Sequence, residues 1–205
     1  MAARFHNGQQ RDDGSDALSH PISCCQVLLC MKIGRFRNGK KLSKKKYRKV
    51  IDQIAAALLL HDVLEDTKAT KKLLKKYFSR RVVGLVCILS RRPGESDEQY
   101  FARIRKDQDA IVAKVVDRAC VVSDMCLCFT TERLQRQIDE TNKHILSMIK
   151  HAKDLYQQYS DLLVTLEFRI RENLRSAEAL IAEKKKVAEF EPQLKAGRRA
   201  SRRKQ

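Results

Sequence analysis

The sequence predicts an all-α fold, and three observations lead there. The composition is poor in the residues that build strands and turns: aromatics make up 6% with no Trp, and there are 3 Pro and 7 Gly in 205 residues. Hydrophobic residues make up 43%, enough to fill a core, and they recur at helical spacing. No stretch alternates apolar and polar residues as a half-buried strand would. At this length one domain is expected over residues 1–185, with a basic insertion near 32–49 and a basic, disordered tail over 186–205.

The opening "FHNGQQRDDG" is polar and closes on a turn signal, Asp13-Gly14. "SHPISCCQVLLCM" reads as a short helix, with Pro21 acceptable in its first turn. Lys32 to Lys49 interrupts the apolar pattern and reads as a loop whose end feeds the next helix. From there Ile51, Ile54, Ala55 and Leu58 keep helical spacing directly into His61. "DTKATKKLLKKYFS" and "RRVVGLVCILS" follow as an amphipathic and a mostly buried helix.

After the turn "RRPGES" come "DEQYFARIRKD" and "DAIVAKVVDRACVVSDM". The second of these carries Ile111, Val112, Val115, Val116, Ala119 and Val122, an apolar face wide enough for the core. Thr131 to Leu155 reads as one long polar helix. Leu162, Leu166, Ile170, Leu174, Ala177 and Ile181 mark a terminal helix with a single apolar stripe.

The formal charge of +18 calls for an anionic partner: nucleic acid, a membrane surface or a phosphorylated small molecule. It is unevenly spread. Ten Lys or Arg and no acid lie between Lys32 and Lys49, and five more cations between Arg198 and Lys204. The seven Cys are odd in number and mostly set among apolar residues, without zinc-knuckle spacing. They read as reduced, buried thiols of a cytoplasmic protein. No apolar run approaches the roughly 18 residues that a membrane span requires.

"LLLHDVLEDT" gathers His61, Asp62, Glu65 and Asp66 at the end of an oily run. On a helix, residues four apart share a face, so Glu65 lies one turn beyond His61 and Asp66 one turn beyond Asp62. A lone His-Asp pair usually marks no more than a helix end. Two more candidates change the reading: His20, opening a short helix, and Asp117, in the middle of an apolar one. A carboxylate among Val115, Val116, Ala119 and Val122 is costly to bury unless paired or metal-bound. Arg118 points about 100° away from it and is a poor partner.

In this order the residues resemble the metal-binding signature of the HD phosphohydrolase superfamily. More narrowly they resemble the hydrolase domain of RelA/SpoT-type guanosine tetraphosphate (ppGpp, alarmone) enzymes in its small single-domain form. "FHNGQQRDDGSDALSHPI" is similar to that family's opening motif, "TKKLLKKYFSRRVVGLVCILSR" to its post-motif helices, and "AKVVDRACVVSDM" to its final metal segment. "RRPGESDEQYFARI" is similar to small HD hydrolases without a synthetase domain, so degradation alone is expected. The resemblance implies an HD-domain helical bundle. It implies His20, His61, Asp62 and Asp117 as ligands of a divalent ion, with Mn²⁺ suiting the set. It also implies Glu65 and Asp66 as the residues that position and deprotonate water, Arg11 as a nucleotide contact, and release of pyrophosphate.

Three departures stand out. Asp12 replaces a second basic residue, Val121 replaces an Asn near the nucleotide, and the basic segment lengthens the spacing from His20 to His61. The leading expectation is a metal-dependent phosphohydrolase of a nucleotide, with the surrounding positive charge supplying a field for a phosphorylated substrate. Asp12 and Val121 motivate a second, a nucleotide-binding protein with weakened catalysis. The basic loop and tail motivate a third, binding of nucleic acid.

Overall fold

The computed structural model describes residues 2–202, with side chains through residue 189. It is helical as expected, and one helix organises it. α8 (Gln108–Cys128) is buried around most of its circumference, from Asp109 through Val122 to Met125. Such a helix cannot lie on a surface. α2 (Ser19–Cys30), α3 (Lys44–Leu59), α6 (Arg80–Leu89) and α11 (Ser160–Arg202) all pack against it. The shorter α1 (Ala2–Phe5), α4 (Val63–Asp66), α5 (Lys71–Tyr77) and α7 (Asp97–Ile104) connect or cover these.

Helix starts follow local chemistry. Ser43, Thr70, Ser79, Ser96 and Asp107 each cap a helix by accepting a hydrogen bond from a backbone N–H of its first turn, and Ser96 completes a capping box with Gln99. The predicted stripe of α11 is real: Leu162, Leu166, Ile170, Leu174, Ala177 and Ile181 are all buried. The long helix expected over Thr131 to Leu155 is α9 (Thr131–Glu140) and α10 (Ser147–Leu155), joined without a break by a π-helical turn, Thr141–Leu146. That turn shows His144 to the core, stacked on Phe101 with ring centroids 4.4 Å apart.

Several expectations need correction. The basic segment is not a loop: Phe36–Arg37 and Lys40–Lys41 pair as an antiparallel hairpin, and its last residues already belong to α3. Asn38 and Gly39, at φ 49° and 73°, make the turn. Two-residue strands this basic leave no alternation to read. The helix into His61 ends at Leu59, and His61 and Asp62 occupy the turn before α4. α11 is described past residue 186, to Arg202, and 203–205 lie outside the described residues. All seven cysteines are free, but only Cys24, Cys25 and Cys120 are buried, and Cys30 is exposed. Among the described residues no helix is long and apolar enough to cross a membrane.

At the start of α8 a second buried carboxylate fixes the hairpin. Asp109 accepts hydrogen bonds from Arg37 of the hairpin at 3.1 Å, Arg81 of α6 at 2.5 Å and the Tyr159 hydroxyl at 2.7 Å. Replacing it strands two guanidinium groups and a hydroxyl. Because both arginines remain about 30% exposed, we expect Asp109→Ala to cost about 3 kcal/mol, the low end for breaking a buried pair. For a chain of this size that lowers the melting temperature by about 6–12 °C. Circular-dichroism melts measure it, and a loss below about 1 kcal/mol would mean an ordinary surface ion pair.

Candidate metal centre

α2 and α8 pack side by side and bring His20 and Asp117 together across 97 positions of sequence. His20 Nε2 lies 2.9 Å from Asp117 Oδ1. The turn after α3 brings His61 Nε2 within 3.4 Å of the same oxygen and 3.0 Å of Asp62 Oδ2. His20, His61 and Asp117 are 7%, 6% and 6% exposed, and one ligand atom from each lies within 4.8 Å of the others. This group can hold a divalent metal ion. Asp62 is its more exposed neighbour, so the expected set of His20, His61, Asp62 and Asp117 is assembled in one place.

The ring of His61 is set for ligation. Its Nδ1 donates to the carbonyl of Leu58 at 2.6 Å, one of the carbonyls freed where α3 ends. That bond points Nε2 at the carboxylates, where it carries a proton that a metal ion would displace to reach the lone pair. Burial by itself would lower the pKa of His61, but Asp62 and Asp117 raise it well above the usual value. Burial likewise opposes ionisation of Asp117, yet Lys114 and the hydrogen bonds from His20 and His61 hold its carboxyl far below the usual range. A cluster that stabilises positive charge this strongly is a seat for a cation. The imidazole and carboxylate donors suit Mn²⁺ and its neighbours, where a thiolate set would favour softer ions.

Glu65 and Asp66 occupy α4, immediately beyond. Burial is the main cause that raises the pKa of each. The Glu65 carboxylate accepts a hydrogen bond from the Arg91 backbone N–H at 2.9 Å, which orients it. His20, Asp62, Glu65, Asp66, Asp117 and Arg11 all line one cavity of about 750 Å³. A smaller chamber of about 90 Å³ opens beside it, lined by His61, Glu65 and Lys114 among others. Arg11 is at the cavity wall, 3.4 Å from Asp124.

Sequence reasoning missed four contributors. Lys114 donates to Asp117 Oδ2 at 2.8 Å and is Asp117's built-in partner, one turn earlier on α8. The three-residue spacing alone could have revealed it. Arg118 indeed turns away, to Gln137 and Glu140. Arg133 pairs with Asp12 and lies over the Phe129 ring, 3.7 Å from its centroid, on the cavity wall. The acid at Asp12 is thereby neutralised by a cation 121 residues away, which no local pattern reveals. Val121 does line the cavity as an apolar surface.

The fourth is His6, which is 3% exposed and lines the same cavity. Gln9 donates its amide to the Asp66 carbonyl at 3.0 Å, so its oxygen must accept from His6 Nδ1 at 2.7 Å. His6 Nε2 is then an acceptor without a partner at the cavity.

No family model matches the chain, and no curated protein does. A solved structure is similar: a metazoan ortholog of SpoT, described as hydrolysing ppGpp and playing a role in starvation responses. It shares 21% sequence identity over 85% of this chain and 90% of its own, at a TM-score of 0.62. The two chains share a fold. Within this chain, α2, the turn after α3 and α8 are the elements that converge on the cluster.

If the cluster seats an ion, a saturating metal must stabilise the protein. At a concentration one hundred times its dissociation constant, Mn²⁺ should add about 2.7 kcal/mol. That raises the melting temperature by about 5–10 °C. Asp117→Asn keeps the shape but removes the charge, and should abolish the shift. An equal shift in this variant would place the ion elsewhere.

Proposed function

We propose that the protein is a metal-dependent phosphohydrolase that removes the 3′-pyrophosphate of ppGpp and related guanosine alarmones. The observation that carries the reading is the convergence of His20, His61 and Asp117, with Asp62, in one cluster beside a cavity that His20, Asp62 and Asp117 line together with Glu65 and Asp66. The similarity to a ppGpp-hydrolysing protein and the resemblance of the sequence motifs support the same substrate class.

His20, His61, Asp62 and Asp117 would hold the ion, Mn²⁺ by preference, which supplies Lewis-acid charge and an acidified water when bound. Lys114 holds Asp117 in place and keeps it ionised. Glu65 and Asp66 act as the general base. Their raised pKa values bring them closer to the operating pH than free carboxylates, which suits proton abstraction from water. The Arg91 amide fixes the direction in which Glu65 receives that proton. Arg11 and Arg133 bring positive charge to the cavity wall, where a nucleotide's phosphates need it. Phe129 beneath Arg133 offers an apolar face to a base.

The test is release of pyrophosphate from ppGpp with and without added Mn²⁺, run beside nucleoside triphosphates and NADPH. Metal-dependent release is expected, and Glu65→Gln or Asp66→Asn should lower kcat by about 100-fold or more while metal uptake survives. Tight nucleotide binding without turnover would replace this reading with the binding-protein one.

Arg133 allows a separate check. Arg133→Ala frees the Asp12 carboxylate at the mouth of the site, and KM for ppGpp should rise about tenfold with kcat little changed. A drop confined to kcat would remove Arg133 from substrate binding.

A further inference from the structure

The basic segment from Lys32 to Lys49 carries charge that the candidate centre does not use. α3 connects the two: its first turn holds Lys44, Lys45 and Lys46, and its far end leads into His61. Its 16 residues at a rise of 1.5 Å each set these ends about 24 Å apart. The screening length at physiological ionic strength is about 8 Å. Lysines at the start of α3 therefore exert little pull on an anion in the cleft. The expectation that this charge serves the nucleotide substrate does not survive that distance.

The segment also departs from how the rest of the chain treats its cations. Arg81, Arg91, Arg103 and Arg118 each hold a carboxylate. Lys40, Lys41, Lys44, Lys45, Lys46, Arg48 and Lys49 are all exposed, and none forms a salt bridge among the described residues. Like charges packed this closely repel, and a flexible loop would spread them. Here the backbone holds them in place. Arg37 is tied to Asp109, the Gly34 N–H donates to the Gln158 carbonyl at 2.7 Å, and the Tyr47 hydroxyl to the Ile33 carbonyl at 3.3 Å. A Cβ on Gly34 would meet the Gln158 backbone at 3.0 Å, so the start of the hairpin is packed down as well as bonded. Lys44, Lys45, Arg48 and Lys49 line a groove of about 640 Å³ against Ser79, the N-cap of α6, with Asp52 its single acid.

We propose that this hairpin-and-helix face binds duplex nucleic acid through its phosphates. A rigid array of unpaired point charges fits a polyanion, and its surroundings narrow the choice. Tyr47, Val50 and Ile51 of α3 turn inward onto the core, which leaves the partly exposed Phe36 and Leu42 to enter a bilayer, too little apolar surface for a membrane anchor. Protein interfaces are depleted in Lys, whereas the unpaired cations of this face are six Lys and one Arg, Arg48, which lies among lysines rather than in an apolar pocket. Binding of single strands relies on aromatic stacking platforms, and there is none here. What remains is the charged backbone of a duplex, read without regard to sequence.

The experiment is a fluorescence-anisotropy titration of the full-length protein with short labelled RNA and DNA duplexes across a range of salt. Neutralising about six phosphates gives a slope of log K against log salt of about −5. The variant Lys44→Gln, Lys45→Gln, Arg48→Gln, Lys49→Gln should bind about 100-fold more weakly at low salt, with the slope reduced to about −2. It should keep the wild-type melting temperature, because none of the four side chains enters the core. Lys40→Gln with Lys41→Gln should lose about tenfold. No binding, salt-independent binding, or binding only to phosphatidylserine vesicles would overturn the proposal. So would wild-type affinity in the fourfold variant, which would move the interaction to the cations from Arg198 to Lys204.

Discussion

The structure depends on keeping one carboxylate charged inside its central helix. Asp117 is surrounded by Val115, Val116, Ala119 and Val122 on a helix with little solvent on any side. An unpaired carboxylate in such a place would take up a proton or unfold the helix around it. Lys114 supplies a counter-charge from the preceding turn, and two imidazoles from separate elements bring nitrogens within 2.9 and 3.4 Å of the carboxylate. That requirement dictates the packing. α2 must lie against α8 for His20 to reach, and α3 must stop at Leu59 for His61 to turn inward. Because two of the partners are imidazoles that can give up a proton, the same cluster of two imidazoles and a carboxylate can hold a metal ion, so the solution to a folding problem is also a cation site.

A second buried carboxylate repeats this logic eight positions earlier in the sequence with a different outcome. Asp109 is answered by Arg37, Arg81 and Tyr159, groups that stay paired and leave no space among them. Guanidinium groups satisfy an anion in full and permanently, whereas imidazole and Asp62 can exchange a proton for a metal ion. The same helix thus carries a structural anion that holds the basic hairpin and a chemical one that faces the cavity. The difference lies in the partners, not in the aspartates.

Much of this was legible because it is written in spacing. The apolar positions of α8 and α11, and the serine and threonine caps, are local signals that tertiary packing reinforced. The ligand set was legible only through motif order, since nothing local brings His20 to Asp117. Other features had no local trace. The helix end at Leu59 goes against a periodicity that runs smoothly into His61, and it is fixed by where the imidazole must point. The hairpin hides in a lysine-rich stretch because two-residue strands show no alternation, and its geometry comes from Asn38-Gly39 and the Arg37 tether. Arg133 could not be matched to Asp12 from sequence, because the pairing is a property of the packed cavity wall.

That pairing changes what the departures at the cavity mean. Read along the chain, Asp12 places an acid where a phosphorylated ligand wants a cation. In the fold the acid is neutralised and becomes an anchor for Arg133, whose guanidinium is held between the carboxylate and the Phe129 ring. A guanidinium fixed by a carboxylate and a ring loses less rotamer freedom on meeting a phosphate than a free lysine would. The positive charge has moved from one side of the entrance to another and become more rigid. Val121 has no comparable replacement: an apolar side chain lines the wall there, and it reduces the polar contacts available to a base. The buried His20, His61 and Asp117 group is therefore in place and the cation at the entrance is relocated, so under the proposed function selectivity between nucleotides would rest on the wall around Val121 and Phe129.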